Sequence, residues 1–239
     1  MISKKCKSSF PAILFDLDGT LIDSVYEHTS AWAIALREAG IVLPNWKLHR
    51  RIGMSGKSFV RELLREVHRK PMPVHEIEAI EKRHDAEFSK RIADLEALPG
   101  ARDLLWYLSS QGVKWAIAST GKSSQTHRLL KPLSIPKNVP VITGDDVTNT
   151  KPAPDAFVLA AERLGLSIGD SIVVGDSVWD LLAAVRKSAL GVGLLSGGYS
   201  QEELERAGAF RVYEDPRDML IHLEQLGIPG PDTQPHEKR

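Results

Sequence analysis

Two aspartates two residues apart, at the end of a short apolar run, are the first residues in this chain whose types and spacing could do chemistry. They lie in Phe15-Asp16-Leu17-Asp18-Gly19-Thr20. The run before them, Ala12 to Phe15, does not alternate polar with apolar residues and reads as a strand buried on both faces. Residues two apart in an extended segment point the same way, so the carboxylates of Asp16 and Asp18 would stand side by side. Neighbouring carboxylates repel unless a cation or a proton separates them. Mg²⁺ suits such a place, because it takes a few carboxylates and completes its shell with water and phosphate oxygens. Gly19 permits a sharp turn and a close backbone approach to an anion. An Asp-Gly pair at a strand end is also an ordinary turn. The longer pattern Asp-x-Asp-Gly-Thr is expected by chance in roughly one chain per thousand, and that rarity favours chemistry.

Three later segments have the same character. The apolar stretch Trp115 to Ala118 runs into Ser119, Thr120 and Gly121, whose hydroxyl and backbone N–H groups suit an anion. Ser119 and Thr120 would equally cap a helix starting near Lys122. Lys151-Pro152-Ala153-Pro154 places a lysine in a loop that two prolines stiffen, just before a helix; the competing reading is a solvated surface lysine. In Val173-Val174-Gly175-Asp176-Ser177-Val178-Trp179-Asp180 a strand enters Gly-Asp, and a second aspartate lies four residues on. These groups would cap a helix well. Asp176 would also join Asp16 and Asp18 in one crevice, giving three carboxylates for one Mg²⁺.

The elements that must position these residues follow from the hydrophobic pattern. Runs at Val113 to Ala118, Val139 to Thr143, Ser171 to Val174 and Gly191 to Leu195 repeat the non-alternating character of Ala12 to Phe15. Between them, Pro99 opens a helix that Gly112 closes, and Pro154 opens another that Gly165 closes. This alternation predicts an α/β domain with a doubly wound, Rossmann-like parallel sheet, in which ligands bind at the carboxyl ends of the strands. Residues 24–93 break the rhythm. They hold helix-compatible stretches at Ser30 to Ala39, Lys57 to Arg69 and His75 to Ile92, without a convincing strand. The expected organisation is a helical insert at 24–93 in a discontinuous core of 1–23 and 94–229. Residues 230–239, polar and with two prolines, predict a disordered tail.

The bulk properties narrow the function classes. Among 239 residues, 31 Lys and Arg balance 31 Asp and Glu, so no electrostatic footprint for nucleic acid appears. Lys4, Lys5 and Lys7 precede the first apolar run, but Asp16 and Asp18 cut that run too short for a signal-peptide core or a membrane span. The single cysteine, Cys6, cannot form an internal disulfide, which fits a reducing compartment. A cytoplasmic protein is expected, with no membrane, nucleic-acid or obligate protein partner.

Taken in order, the four motifs resemble those of the haloacid dehalogenase-like (HAD) hydrolase superfamily over nearly the whole chain. The resemblance implies that Asp16 is a nucleophile and Asp18 a general acid/base. It makes Ser119 the hydroxyl that binds the transferring phosphoryl group, with Thr120 and Gly121 beside it. Lys151 would let an anionic nucleophile and an anionic phosphate approach each other. Asp176 would bind Mg²⁺ directly together with Asp16, Asp18 would bind it through its backbone carbonyl, and Asp180 would orient water or Lys151. Dehalogenases of the superfamily carry Tyr, and phosphonate-cleaving members Ala, where this chain has Asp18; the aspartate implies phosphate-ester chemistry.

The insert is similar to the small cap of the subfamily that includes phosphoglycolate phosphatase and β-phosphoglucomutase. On that likeness, Arg50-Arg51-Ile52-Gly53-Met54-Ser55-Gly56-Lys57 is the specificity loop, with Arg51, Ser55, Gly56 and Lys57 as candidate substrate contacts. The mutase pattern has an arginine where this chain has Gly56. Lys82 and Arg83 are further candidates against a solvated helix face, and His28 and Trp32 could line the cleft or simply pack. The expected activity is Mg²⁺-dependent hydrolysis of a small phosphorylated metabolite through an aspartyl-phosphate. The alternatives are a phosphomutase and a non-catalytic binding protein that keeps the fold.

Overall fold

A computed structural model describes residues 10–67 and 70–231. Lys4, Lys5, Cys6, Lys7 and the tail after Pro231 lie outside the described residues. The core is a parallel sheet of β1 (Ala12–Phe15), β2 (Trp115–Ala118), β3 (Val141–Ile142), β4 (Ser171–Gly175), β5 (Leu190–Leu194) and β6 (Ala209–Tyr213). Its strand order is β3-β2-β1-β4-β5-β6, and every neighbouring pair is parallel. Register places Leu14 beside Ala116 on one side and Val173 on the other. The sheet is therefore doubly wound, as the alternation of runs predicts.

Alternate residues of each strand feed opposite layers, as the period of an extended chain requires. Ile13, Phe15, Trp115, Ile117, Ile172 and Val174 enter one buried cluster. Leu14, Ala116, Ala118 and Val173 enter another. Burial on both faces explains why these strands read as continuous apolar runs. The helices, in chain order, are α1 (Val25–Glu38), α2 (Asn45–His49), α3 (Gly56–Glu66), α4 (Val74–Ser89), α5 (Ala101–Ser110), α6 (Ser123–Leu129), α7 (Asp155–Arg163), α8 (Val178–Val185), α9 (Gln201–Arg206) and α10 (Pro216–Ile221). Leu104 and Leu108 of α5 and Met219 of α10 complete the first cluster, and Phe157, Ala160 and Ala161 of α7 the second. Pro154 directly precedes α7, and Gly165 ends its C-terminal turn at φ +73°.

Helices α1 to α4 enclose an apolar cluster of their own, including Trp32, Leu36, Phe59, Leu63 and Ile80. Trp32 and Phe59 stack with ring centres 4.3 Å apart. The chain leaves the core and returns to it at one place. Ile22 bridges Ala97, Asp23 N–H donates to the Glu96 carbonyl at 3.1 Å, and Leu98 N–H donates to the Leu21 carbonyl at 2.9 Å. Among the described residues no helix is long and apolar enough to cross a membrane.

Candidate active site

The sheet order reverses between β1 and β4, so the crevice beyond their carboxyl ends is where an open α/β sheet binds ligands. Asp16 directly follows β1, and its N–H donates to the Val174 carbonyl at 2.8 Å. Asp176 directly follows β4. Carboxylate oxygens of Asp16, Asp176 and Asp180 all lie within 4.8 Å of one another, and all three residues are buried. Lys151, 1% exposed, ion-pairs with Asp16 and, at 2.7 Å, with Asp180. The other Asp180 oxygen accepts from Ser177 N–H at 3.2 Å and from Ser177 Oγ at 2.6 Å, closing the capping box of α8. Asp180 thus serves the helix with one oxygen and Lys151 with the other.

Backbone shape admits this crowding. Gly19 sits at φ +76°, and a Cβ there would meet the Asp176 carboxyl carbon at 2.7 Å. A Cβ on Gly197 would meet the same carbon at 2.6 Å. Thr20 Oγ1 donates to Asp176 Oδ1 at 3.0 Å, fixing the remaining side of that carboxylate.

The charges are out of balance. Lys151 supplies one positive charge against three carboxylates. Burial pushes the Asp16 carboxyl up to about 7, with Asp180 and Asp18 adding to the rise against Lys151. Burial, with the charges of Asp180 and Asp16, holds Asp176 well above the usual carboxylate range. For Lys151 burial opposes the charge, but Asp16 and Asp180 outweigh it and hold the ammonium above its ordinary value. A set of oxygen donors with surplus negative charge fits a hard divalent cation.

Asp18 belongs to a different network. Its Oδ1 accepts from Ser24 Oγ at 2.6 Å and lies 3.2 Å from His28 Nε2. His28 Nδ1 is 3.1 Å from His84 Nε2, and His84 Nδ1 is 3.1 Å from Asp85 Oδ1. Burial works against the Asp18 anion, but His28 and Ser24, with Lys151, outweigh it and hold the carboxyl below its usual range. Burial pushes the His84 imidazole down to about 4. Three links between two carboxylates need three protons, and two neutral imidazoles carry two. When all three contacts are hydrogen bonds, the chain from Asp18 to Asp85 carries one proton beyond those of its two neutral imidazoles.

A cavity opens over these groups. Asp16, Asp18, Thr120 and Gly121 line it from the core. His28, Trp32, Gly53, Met54, Gly56 and Glu81 line it from the helical layer. Ser119 is fully buried at the end of β2, where its Oγ accepts from Gly121 N–H at 3.0 Å. Sequence reasoning left His28 and Trp32 open between lining this cleft and packing, with packing preferred, and missed the His28–Asp18 contact and the roles of Thr20, Glu81, His84, Asp85 and Lys122. Only the Asp18-to-His28 spacing, on one strand–helix connection, could have pointed to any of them.

Arg51, Ser55 and Lys57 depart from the expectation that they face the substrate. Arg51 ion-pairs with Glu66 and donates to the Lys47 carbonyl at 3.1 Å. Lys57 pairs with Glu78 at 2.8 Å, and Ser55 Oγ bonds Ser58 Oγ at 3.1 Å. Each is satisfied within the helical layer, and of the four loop candidates only Gly56 lines the cavity. Arg83 pairs with Glu38 and Glu87, and Lys82 is exposed. Arg50 pairs with Glu203 and stacks over the Tyr199 ring at 4.3 Å, across the junction with the core. Its carbonyl accepts from Tyr199 Oη at 2.8 Å and Trp179 Nε1 at 3.3 Å.

The haloacid dehalogenase-like hydrolase family profile matches residues 10–186, which carry all four motifs. The chain belongs to that family of hydrolases. It is 30% identical over 192 residues to hexitol phosphatase A of Escherichia coli K12, covering 76% of this chain and 79% of the relative. It is 30% identical over 243 residues to a phosphoglycolate phosphatase of Shigella boydii, covering 93% and 94%. A hydrolase from Pseudomonas syringae is 44% identical and superposes with a TM-score of 0.86, covering 90% of this chain and 98% of that one.

Proposed function

We propose that the protein is a Mg²⁺-dependent phosphatase of small phosphate monoesters that works through an aspartyl-phosphate on Asp16. The observation that carries this reading is the joint presence of Asp16 and Asp18 on the floor of one cavity, each held by a separate network. Membership of the hydrolase family and the phosphatase relatives support it.

In the first half-reaction an Asp16 carboxylate oxygen bonds to phosphorus as the bond from phosphorus to the leaving oxygen breaks. The Asp18 carboxyl gives its proton to that oxygen, which departs as an alcohol. In the second, water attacks phosphorus, its proton returns to Asp18, and the Asp16–phosphorus bond breaks to release phosphate. Lys151 holds the attacking carboxylate and offsets the charge of the incoming phosphate. Ser119 orders the Thr120–Gly121 turn, whose backbone faces the cavity and would receive phosphoryl oxygens. Asp16, Asp176 and the Asp18 backbone carbonyl would hold Mg²⁺, and Asp180 would fix Lys151. Bound there, the cation would neutralise the carboxylate cluster and the equatorial phosphoryl oxygens.

The helical layer at 24–93 acts in this reading as a mobile cap. A cavity of about 70 Å³ is far smaller than ordinary ligand pockets, so substrate entry requires the layer to move. Gly56, where the mutase pattern has arginine, favours hydrolysis over isomerisation.

Asp16→Asn should abolish phosphate release from a panel of monoesters while the melting temperature stays close to wild type, and chelation should silence the wild type until Mg²⁺ is returned. Most of the wild-type rate surviving in Asp16→Asn would end the nucleophile assignment. Given β-glucose 1-phosphate and a bisphosphate primer, free phosphate should outpace glucose 6-phosphate.

A further inference from the structure

The roof of the cavity has an unusual charge inventory. Four cations of the helical layer and its rim are already committed to carboxylates: Arg51 to Glu66, Lys57 to Glu78, Arg83 to Glu38 and Glu87, and Lys122 to Asp85. Lys122 lines the cavity, but Asp85 holds it. Asp85 in turn has both oxygens engaged, one by His84 and one by Lys122. Both ring nitrogens of His84 are engaged as well, by His28 and Asp85.

Glu81 is the exception. It lines the cavity, is half-buried, and makes no hydrogen bond or ion pair among the described residues. Burial pushes its carboxyl upward, against the opposing pull of Lys122 and with Asp85 adding to the rise. Its place depends on Gly56, where a Cβ would sit 2.5 Å from Glu81 Cγ and 2.7 Å from its carboxyl carbon. Any larger residue at 56 would force the Glu81 side chain to shift. The glycine that opens α3 and the carboxylate on α4 act as one device.

Above the catalytic floor, then, the leaving group meets the unpaired Glu81 carboxylate and, among the described residues that line the cavity, one lysine, Lys122, that Asp85 already holds. A leaving group with its own carboxylate would be repelled there. One with several hydroxyls would supply the donors Glu81 lacks. We propose that Glu81 is the specificity-determining residue of the cleft, selecting phosphate monoesters of neutral polyhydroxy alcohols and rejecting those of hydroxy acids.

This inference rests on the phosphatase reading, and the experiment separates the two. Purified full-length protein with Mg²⁺ is assayed on glucitol 6-phosphate, 2-phosphoglycolate and p-nitrophenyl phosphate. Wild type should favour the polyol ester over phosphoglycolate by about tenfold or more in kcat/KM, the scale set by one charge-assisted hydrogen bond. Glu81→Gln keeps the shape and removes the charge, and should lower that ratio by about fivefold or more. Glu81→Lys should lower it further, toward phosphoglycolate. Gly56→Ala, which leaves every charge in place, should lower the ratio in the same direction by displacing Glu81. A wild type that prefers phosphoglycolate, or a Glu81→Gln ratio less than about fivefold below wild type, overturns the assignment of Glu81. No phosphate release by wild type from any of the three esters would instead remove the phosphatase reading beneath it. Circular dichroism confirms that each variant is folded before its ratio is read.

Discussion

Lys151 shows how one residue holds the site together. It is the cation in contact with Asp16 and Asp180, and it is almost wholly withdrawn from water. Lys151→Ala should lower kcat/KM by about 10²-fold or more, the scale of losing one preorganised electrostatic contact. It should also destabilise the metal-free protein by about 3 kcal/mol, because buried carboxylates then face one another unpaired. Lys151→Arg should not restore activity fully, since a planar fork cannot occupy the place of a compact ammonium. Steady-state kinetics and thermal denaturation check both effects, and an alanine variant within a few-fold of wild type would make the lysine structural only. At this scale Asp16, Asp18 and Asp176 were legible because strand ends fix where their side chains go, and Lys151 through its flanking prolines and its place in the motif order. Glu81 and His84 were not. Their meaning depends on contacts with residues far away in sequence, such as His28, 56 positions from His84.

Elements differ in how plainly the sequence announces them. The central strands β1, β2 and β4 are buried on both faces and appear as apolar runs. Strand β6 lies at the sheet edge with Phe210 and Arg211 exposed, so the signal of burial is absent and the strand went unseen. Helix α2, five residues entered from Pro44, is too short for a helical period to show. The α1–α4 contact offers a test of packing. His84 on α4 stacks on Trp32 of α1 at 4.0 Å between ring centres and is 5% exposed. Its folded value near 4 lies below the unfolded value of 6.5. The stability linked to this residue is therefore fully present above about pH 6.5 and is lost as the pH falls toward 4, by an amount on the order of 3 kcal/mol. Urea denaturation of His84→Gln should show a shallower decline over that window than wild type. Parallel pH profiles would mean that the buried imidazole does not titrate as its surroundings require.

On the scale of the whole molecule, the proposed metal site should tie stability to metal. A divalent ion that binds only the folded protein should raise the melting temperature, with a gain of about 2.7 kcal/mol when its concentration is a hundred times its dissociation constant. The ion must displace protons held on Asp16, pushed up to about 7, and on Asp176. The Mg²⁺-induced rise should therefore be larger at pH 8 than at pH 5.5, as scanning calorimetry with and without chelator would reveal. An equal rise at both pH values would place the bound ion away from these carboxylates. The parallel sheet was legible as a whole from the alternation of runs. The closeness of layer and core was not, because Arg50, Tyr199 and Trp179 meet across segments with no shared pattern.

The paired backbone where the chain leaves and rejoins the sheet has a thermodynamic consequence. Asp23 and Glu96 are hydrogen-bonded neighbours, so the residues between them form a loop closed at its base. The entropy of closing such a loop grows only with the logarithm of its length, about 0.6 kcal/mol for each doubling. Seen from the sheet, a short turn and a helical excursion of dozens of residues are nearly equivalent insertions. Replacing the excursion with one of another size should leave the strand ends, and the chemistry they carry, in place. If the helical layer chooses the substrate as proposed, that part could be exchanged without rebuilding the part that reacts with it.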